Sequence, residues 1–188
     1  MRNQAVVSTC FLVVLCLVAN SGGAEPIYFA DTEHYYERID IDLNWDDAKA
    51  DAESRSYLGI TGHLATITSQ AENDFITSNF LAEAPSPAYC GGYQPPGSGE
   101  PNQGWLWVTG EPWDFENWDV GEPNNFGGNE EDCVELYSTG VWNDATNSSG
   151  RSCYIAEYPA GPIPEPSILI LVSIGGLGLL STRKIRHS

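Results

Sequence analysis

Apolar residues recur at helical spacing twice in the first half of the chain. In NWDDAKADAESR they would share one face of a helix that begins after Asn44, a residue type that caps helix N-termini. In SQAENDFITSNFL they follow Ser69 and Glu72, which have the spacing of a capping box. The pattern predicts two amphipathic helices, with a short strand and turn in GHLATIT between them. The predicted inward-facing positions are Trp45, Ala48, Ala52, Phe75, Ile76 and Phe80.

After Pro85 the helical spacing disappears. Glycine and proline residues punctuate short aromatic or β-branched runs such as WLWVTG and CVELY, which predict strands separated by long loops. Because helices come first and antiparallel strands afterwards, the sequence predicts an α+β fold with two helices packed on antiparallel β-sheets. A chain of 188 residues has room for one such domain plus targeting segments.

Residues 1–24 have the pattern of a cleaved secretory signal. Arg2 precedes an apolar stretch from Phe11 to Ala19, and small residues follow, ending at Ala24. We therefore expect an exported protein whose mature form begins near Glu25.

The other end of the chain combines a proline-rich linker, an apolar segment and a basic end. Residues 159–166 form the linker and contain Pro-Glu-Pro, and residues 167–188 begin with 14 uncharged residues before the basic end, RKIR. As a helix, those uncharged residues are about 21 Å long, so they could cross only a thinned bilayer, whose hydrocarbon core is normally about 30 Å.

This combination resembles the PEP-CTERM sorting signal of Gram-negative bacteria. The resemblance implies an exosortase-type processing enzyme as a partner and transient membrane anchoring by the C-terminal helix. It also implies delivery to the cell envelope or the extracellular matrix.

Charge is distributed unevenly along the chain. All 26 acidic residues lie between Glu25 and Glu165, where only four basic residues oppose them, so this body carries a net charge of −22. Such a surface repels nucleic acid phosphates and anionic membranes, and no nucleic acid partner is expected. Most of these acidic residues serve solubility. Their spacing within motifs has to indicate which of them bind a cation.

Several motifs occur in the order and spacing of a C-type lectin-like domain. GHLATI, WLWVTGEPW, EPN and VWND accompany the two predicted helices within residues 27–158, and these motifs are chemically unrelated to one another. The sequence therefore resembles that family. The resemblance implies a compact fold of two helices on antiparallel sheets, with a long loop region that carries a calcium site.

The resemblance also bears on the cysteines. Ala52 and Ala156 occupy the two positions of the family's long-range disulfide, which is therefore missing. The second family disulfide is implied as Cys133 with Cys153, whose loop of about twenty residues would stabilise the fold by roughly 3 kcal/mol. Cys90 lies where the family has a buried apolar residue, so it is either a buried thiol or a partner in an intermolecular disulfide.

Carboxylates and amides are concentrated in EPNNFGGNEEDC, residues 122–133. Ca²⁺ takes six to eight oxygen ligands and prefers carboxylates and amide carbonyls that converge from more than one segment. VWND would supply the second segment, with both side-chain and backbone oxygens from its aspartate. Glu130 stays open as an alternative to Glu131. The ligands that the resemblance implies are Glu122, Asn124, Glu131, Asn143 and Asp144.

Two positions on the ion would remain for neighbouring hydroxyls of a sugar, which the same carboxylates and amides can hydrogen-bond. In the resembled family, Glu-Pro-Asn implies binding of mannose-type sugars, whereas galactose-binding members have Gln-Pro-Asp at these positions. Phe126 before Gly-Gly resembles a loop of some galactose binders, or it packs against its own loop. We expect calcium-dependent binding of a saccharide or exopolysaccharide. The alternative is a structural or protein-binding envelope protein that binds no sugar.

The body of the chain lacks known catalytic motifs. It contains His34 and His63 but no His-Glu-x-x-His and no Gly-x-Ser-x-Gly. Glu130 and Glu131 are adjacent in sequence, and adjacent residues seldom face each other across a glycosidic bond. We therefore expect a binding protein without catalytic residues, and not an enzyme.

Overall fold

The computed structural model describes residues 25–83 and 87–159. The predicted signal segment 1–24, the linker beyond residue 159 and the C-terminal segment 167–188 lie outside the described residues, so the predictions made for them stay predictions. Within the described ranges, none of the helices combines the length and the apolar character that a membrane crossing requires.

The first helix, α1, spans Trp45–Ser54. The side chain of Asn44 accepts a hydrogen bond from the backbone N–H of Asp47 at 2.9 Å, which caps the helix as predicted. Arg55 is extended, and its N–H donates to the carbonyl of the last buried residue, which ends the helix. The buried residues are those that the pattern predicts, namely Trp45, Ala48 and Ala52.

The second helix, α2, spans Gln70–Ile76 and continues as a π-helical turn over Thr77–Leu81. The hydroxyl of Ser69 accepts from the backbone N–H of Glu72 at 3.2 Å, as the capping box predicts. The Glu72 carboxylate does not return to Ser69, because it accepts from the N–H of Thr68 at 2.8 Å instead. One of the two hydrogen bonds of the capping box is therefore formed. The Glu72 carboxylate is buried and bonds to other groups in the core.

Ten short strands complete the fold of the described residues. They are β1 (Ile27–Phe29), β2 (His34–Ile39), β3 (Ser56–Tyr57), β4 (Ile60–Thr61), β5 (His63–Leu64), β6 (Ala88–Tyr93), β7 (Leu106–Trp107), β8 (Cys133–Leu136), β9 (Trp142–Ala145) and β10 (Tyr154–Pro159). The main sheet follows the path β1-β2-β10-β6-β8-β9, with β5 beside β10 and β7 beside β6, while β3 and β4 form a separate hairpin.

The strand pairings confirm the predicted α+β fold with one difference. Among the strands of the described residues, β10 and β6 pair in parallel and the other pairs are antiparallel. The sheet is therefore mixed, because the last strand inserts between β2 and β6 instead of adding to an edge.

The part of the chain that the structure describes has two core clusters, and one of them supports the long loop region. Five of the six tryptophans pack there, with ring centroids 4.4 to 6.4 Å apart. Trp142 is fully buried among them, and its indole N–H donates to Asn73 Oδ1 at 2.8 Å. This hydrogen bond anchors the start of β9, the strand in which Asn143 and Asp144 follow Trp142.

The other cluster lies under α1. It contains Ala52 and Ala156, both completely buried. The two positions at which the resembled family has its long-range disulfide are therefore filled by small apolar side chains of the same cluster.

The predicted disulfide between Cys133 and Cys153 is wrong, because both are free and buried. Cys133 pairs with Tyr93 on one edge of β6, whereas Tyr154, the residue after Cys153, pairs with Tyr89 on the other edge. The two cysteines are thus displaced by about four residues along β6, or roughly 13 Å at about 3.3 Å per residue. A disulfide needs Cα atoms within about 7 Å.

Cys90 is completely buried, and its thiol donates a weak hydrogen bond to the carbonyl of Val134 at 3.7 Å. Burial raises the pKa of this thiol to about 12. The structure therefore favours an unreactive buried thiol over an intermolecular disulfide.

Candidate functional site

The candidate site lies where the loop of residues 117–132 meets the edge strand β9. Two backbone hydrogen bonds join them: the N–H of Trp142 donates to Asn117 and the N–H of Asp119 donates to Trp142, both at 2.8 Å. Because Trp142 is held in the core, these bonds fix the start of the loop against the strand.

Asp144 connects the two segments. Its side chain is completely buried, and Oδ2 accepts from the backbone N–H groups of Asn124 and Asn125 at 2.9 and 2.8 Å. Asn125 is in the left-handed region, with φ of 48°, and the Glu122–Pro123 bond is cis. The structure thus brings the segment around Asn124 into direct contact with the segment that carries Asp144.

Two carboxylate oxygens in the site have no hydrogen-bond donor. Glu122 Oε2 and Asp144 Oδ1 are both buried and unpartnered. Burial, the adjacent Asp144 carboxylate and the charges of Glu131 and Asp119 raise the pKa of Glu122 to about 7. Like charges this close are costly unless a proton or a cation lies between them. The arrangement therefore fits a bound cation.

Glu131 is held by the same loop. Its Oε2 accepts from the N–H of Phe126 at 2.6 Å, and its own N–H donates to Asn125 Oδ1 at 3.4 Å. Burial raises the pKa of Glu131, the bond from Phe126 opposes this, and the charge of Asp144 adds to the rise. Glu131 therefore shares the electrostatic environment of Asp144.

The neighbouring Glu130 is placed differently. It is exposed, and its charge raises the pKa of Asp132, after the larger effects of burial and of Glu100. The charges that raise the pKa of Glu122 include that of Glu131. Glu131 is thus close enough to act on Glu122, whereas Glu130 is exposed on the loop surface.

Asn143 lies opposite Glu135 in the ladder between β8 and β9. Its Nδ2 donates to Glu135 Oε1 at 3.1 Å and contacts the backbone oxygen of Asp144. The other Glu135 oxygen accepts from Arg151 Nε. Sequence reasoning missed Glu135 and Arg151. The signal that could have found Glu135 is a charged residue inside an otherwise apolar strand, CVEL.

The exposed residues of the loop include polar and apolar side chains. Asn124 is exposed beside the carboxylates, Phe126 is 76% exposed and Val120 is 99% exposed. The interpretation of Phe126 as a loop-packing side chain is therefore wrong, and its ring is accessible next to the site.

The donor types favour a hard cation. In residues 25–83 and 87–159, no group of three or more His, Cys, Asp or Glu side chains is arranged to hold a metal by itself. The three carboxylates of the candidate set, Glu122, Glu131 and Asp144, therefore do not form such a group by themselves, and amide oxygens of Asn124 and Asn143 would have to complete the site. Oxygen donors without sulfur or imidazole match Ca²⁺ better than zinc.

Comparison with known proteins relates this geometry to a family. The family model described as "Lectin C-type domain" matches residues 42–155, which include α1 and the whole candidate site. Halomucin of Haloquadratum walsbyi is 33% identical over 139 residues, which are 66% of this chain and 1% of halomucin. The low affinity immunoglobulin epsilon Fc receptor of Mus musculus is 35% identical over 101 residues, which are 54% of this chain and 28% of the receptor.

The chain thus spans far less than two thirds of the length of these two relatives. Among solved structures, the C-type carbohydrate-recognition domain of cow CD23, determined in the presence of a GlcNAc2Man3 oligosaccharide, is 28% identical with a TM-score of 0.61. The match covers 73% of this chain and 95% of that domain. Because the family model matches more than half of the chain, this protein belongs to the C-type lectin domain family.

Proposed function

We propose that this domain binds Ca²⁺ and, through the ion, a saccharide of the mannose type. The observation that carries the proposal is the pair of buried, unpartnered oxygens, Glu122 Oε2 and Asp144 Oδ1. They come from two distant segments of the chain, and a divalent cation would satisfy both and offset their repulsion.

The chain offers enough further oxygens to hold such an ion. Asp144 can contribute both its carboxylate and its backbone carbonyl, which brings the set to about six oxygens of the six to eight that Ca²⁺ takes. When bound, the ion supplies a hard positive centre with up to two open positions for sugar hydroxyls. The proposed ligands are Glu122, Asn124, Glu131, Asn143 and Asp144.

Side chains around those positions would select the sugar. A hydroxyl can donate to a carboxylate and accept from an asparagine amide, so Glu122 and Asn124 place an acceptor and a donor in a fixed order. The Glu-Pro-Asn order supports the mannose-type class. The cow CD23 domain, which was studied with an oligosaccharide of mannose and N-acetylglucosamine, is consistent with that class.

We propose that the protein acts at the cell envelope or in the extracellular matrix of a Gram-negative bacterium. The predicted signal segment and the PEP-CTERM-like tail support export, processing by an exosortase-type enzyme and transient membrane anchoring. A saccharide or exopolysaccharide at that surface is the proposed partner, and clustering of weak sites would supply avidity. No catalytic activity is proposed, since the family is generally non-enzymatic.

A glycan array probed with and without chelator tests this function, together with calorimetric titration of Ca²⁺. We expect calcium-dependent binding to mannose-type glycans that is lost in chelator and restored by excess Ca²⁺. The double variant Glu122→Gln/Asn124→Asp should still bind Ca²⁺ and shift its preference toward galactose, whereas Glu130→Gln should behave like the wild type.

Two results would overturn the proposal. One is a wild-type protein that binds no Ca²⁺ in the titration. The other is glycan binding of equal strength in chelator. Calcium binding without any glycan binding would support the structural or protein-binding alternative.

A further inference from the structure

Glu135 is a buried carboxylate whose two oxygens accept hydrogen bonds from two different residues. It is 3% exposed and lies within an apolar strand. Oε1 accepts from Asn143 Nδ2 at 3.1 Å, and Oε2 accepts from Arg151 Nε. Placing a charge in such an environment is costly unless it is paired, so the arrangement calls for a role that an apolar residue could not fill.

Arg151 is held in place independently of Glu135. Its backbone forms an isolated bridge with Leu43, with N–H to oxygen distances of 2.9 and 3.2 Å. Its guanidinium lies 5.4 Å from the centroid of the Tyr89 ring, within the range of a cation–π contact. Because this anchored guanidinium holds one oxygen of Glu135, the carboxylate is kept facing Asn143.

Two acceptors, the Glu135 carboxylate and the backbone oxygen of Asp144, hold Asn143 Nδ2 and so determine which way the Asn143 amide points. An asparagine amide has a donor end and an acceptor end, whereas an ionised carboxylate can only accept. Glu135 can therefore bind Nδ2, but it repels Oδ1. A flipped amide would set two oxygens against each other, so Oδ1 is kept away from Glu135 and left for another partner.

We propose that Glu135, held by Arg151, is a positioning residue that presents Oδ1 of Asn143 to the cation. This inference rests on the proposed function, since it assigns the cation site as the place where Oδ1 is used. Glu135 acts through Asn143 and contacts neither the ion nor the sugar. Partners behind metal ligands typically change metal affinity by about 10- to 100-fold when they are removed.

Glu135→Gln is the informative variant, because glutamine has the same shape but one donor and one acceptor. Arg151 can only donate, so it retains the acceptor end of the introduced glutamine and turns the amide nitrogen toward Asn143. Asn143 can then bond to the introduced amide only by flipping, which also gives up the contact of its Nδ2 with the backbone oxygen of Asp144. We expect the calcium dissociation constant, measured by calorimetry, to rise roughly 10- to 100-fold.

A matched control removes a similar pair elsewhere in the fold. Asp51 on α1 accepts from Arg55 Nε at 2.9 Å, as Glu135 does from Arg151. Asp51→Asn should leave calcium affinity unchanged while its effect on stability is followed by thermal unfolding. An equal loss of calcium affinity in this control would overturn the positioning role and indicate a general effect of destabilisation.

The double variant Glu135→Gln/Arg151→Gln provides a rescue test. Without a guanidinium beside it, the introduced glutamine at position 135 can turn its oxygen back to Asn143. Calcium affinity should then recover toward the wild-type value. A merely structural role predicts the opposite, because loss of both charged partners would lower stability and affinity further, and that result would overturn the proposal.

A measurement on the calcium-free protein tests the orientation of the Asn143 amide directly. In nitrogen-edited NMR spectra of the calcium-free protein, the Asn143 side-chain amide should show slow exchange in the wild type and in Asp51→Asn, and fast exchange in Glu135→Gln. Unchanged exchange in Glu135→Gln would overturn the positioning role.

The two failures can be told apart. If the wild type binds no Ca²⁺, the proposed function fails and the positioning role falls with it. If the wild type binds Ca²⁺ and Glu135→Gln binds it equally well, the positioning role alone is overturned.

Discussion

Asp144 uses its two oxygens in opposite ways. Oδ2 accepts from two loop N–H groups and so stabilises the loop, whereas Oδ1 is buried without a donor and lies near the carboxylate of Glu122. Without an ion, the second oxygen is a cost to the fold. Residues that serve binding often lower stability in this way, because the unsatisfied group is reserved for a ligand.

Substituting Asp144→Asn should separate these two roles. The asparagine oxygen can still accept from the loop, and its amide can donate to Glu122 Oε2. We expect calcium binding to be lost, while the free energy of unfolding of the calcium-free protein rises by about 1 to 3 kcal/mol as a buried acceptor is satisfied. Urea unfolding in chelator and in Ca²⁺ measures both effects.

The control for this substitution is Glu130→Gln. Glu130 is exposed on the same loop, so neutralising it should change neither stability nor calcium affinity appreciably. A calcium-free Asp144→Asn protein that is less stable than the wild type would show that Oδ1 already has a favourable partner.

A buried polar network ties α2 to the centre of the sheet. The hydroxyl of Tyr36 on β2 donates to Glu72 Oε1 at 2.6 Å and lies 3.3 Å from Glu157 Oε1 on β10. The remaining oxygen of Glu157 accepts from the N–H of Thr66 at 2.8 Å. Both carboxylates are almost completely buried, so the helix depends on these bonds for its place on the sheet.

Removing the Tyr36 hydroxyl should therefore destabilise the fold. Tyr36→Phe leaves the buried Glu72 oxygen without its donor, and we expect the free energy of unfolding to fall by about 1 to 3 kcal/mol. Tyr35 precedes Tyr36 in β2 and is half-buried. Tyr35→Phe should lower the free energy of unfolding by less than about 0.5 kcal/mol. Equal effects of the two substitutions in urea unfolding would contradict the importance of this network.

His34 adds a pH dependence to the same network. Its hydrogen bond to Glu157 raises the pKa of the imidazole, burial opposes this, and the charges of Glu157, Glu111 and Glu72 add to the rise. The charged form is thus favoured in the folded state. The resulting stability is fully present below about pH 6.5, the unfolded value, and is lost as the pH rises through the higher folded pKa.

The comparison of wild type with His34→Gln at several pH values measures this contribution. We expect His34→Gln to lower the free energy of unfolding more at about pH 6 than at about pH 9, because the charged imidazole gains more from Glu157 than the neutral imidazole does. Taking the difference at each pH cancels the titration of the other groups. A larger effect at high pH would show that neutral His34 is the favoured form.

Local signals predicted the helices well, and contacts between distant strands were harder to predict. Asn44 and Ser69 act as caps through neighbours a few residues away, so the sequence pattern was sufficient. The Cys133–Cys153 prediction failed because it depended on how β8 and β10 flank β6. For the site, motifs identified the segments, whereas the role of Glu135 became visible only through the register of β8 and β9.

The order of strands separates the candidate site from the ends of the domain. β9, which carries part of the site, and β1 are the two ends of the main strand path. The described chain begins at β1 and ends with β10, which lies beside β2 on the side of β1. Attachment through the segment that follows β10 would therefore leave the site at the far edge, where the proposed saccharide can reach it.

Charge acts on the molecule as a whole. Each of the four basic residues of the body already pairs with an acidic neighbour, as Arg38 does with Asp40 and Lys49 does with Glu53. The net charge of −22 that remains is spread over the surface and opposes a compact state by self-repulsion. A Ca²⁺ ion bound as proposed would relieve this repulsion at one site, whereas salt screens it over the whole surface.

We therefore expect sodium chloride to stabilise the calcium-free protein. Between about 0.1 M and about 1 M salt the Debye length falls from about 10 Å to about 3 Å, so repulsion between exposed carboxylates is screened, and the melting temperature in chelator should rise. The triple variant Asp31→Asn/Glu83→Gln/Asp114→Asn, at three exposed positions, should melt higher at low salt and depend less on salt. Thermal unfolding followed by circular dichroism measures both. A melting temperature that fell with salt would mean that the few ion pairs outweigh the repulsion, because screening weakens attraction and repulsion alike.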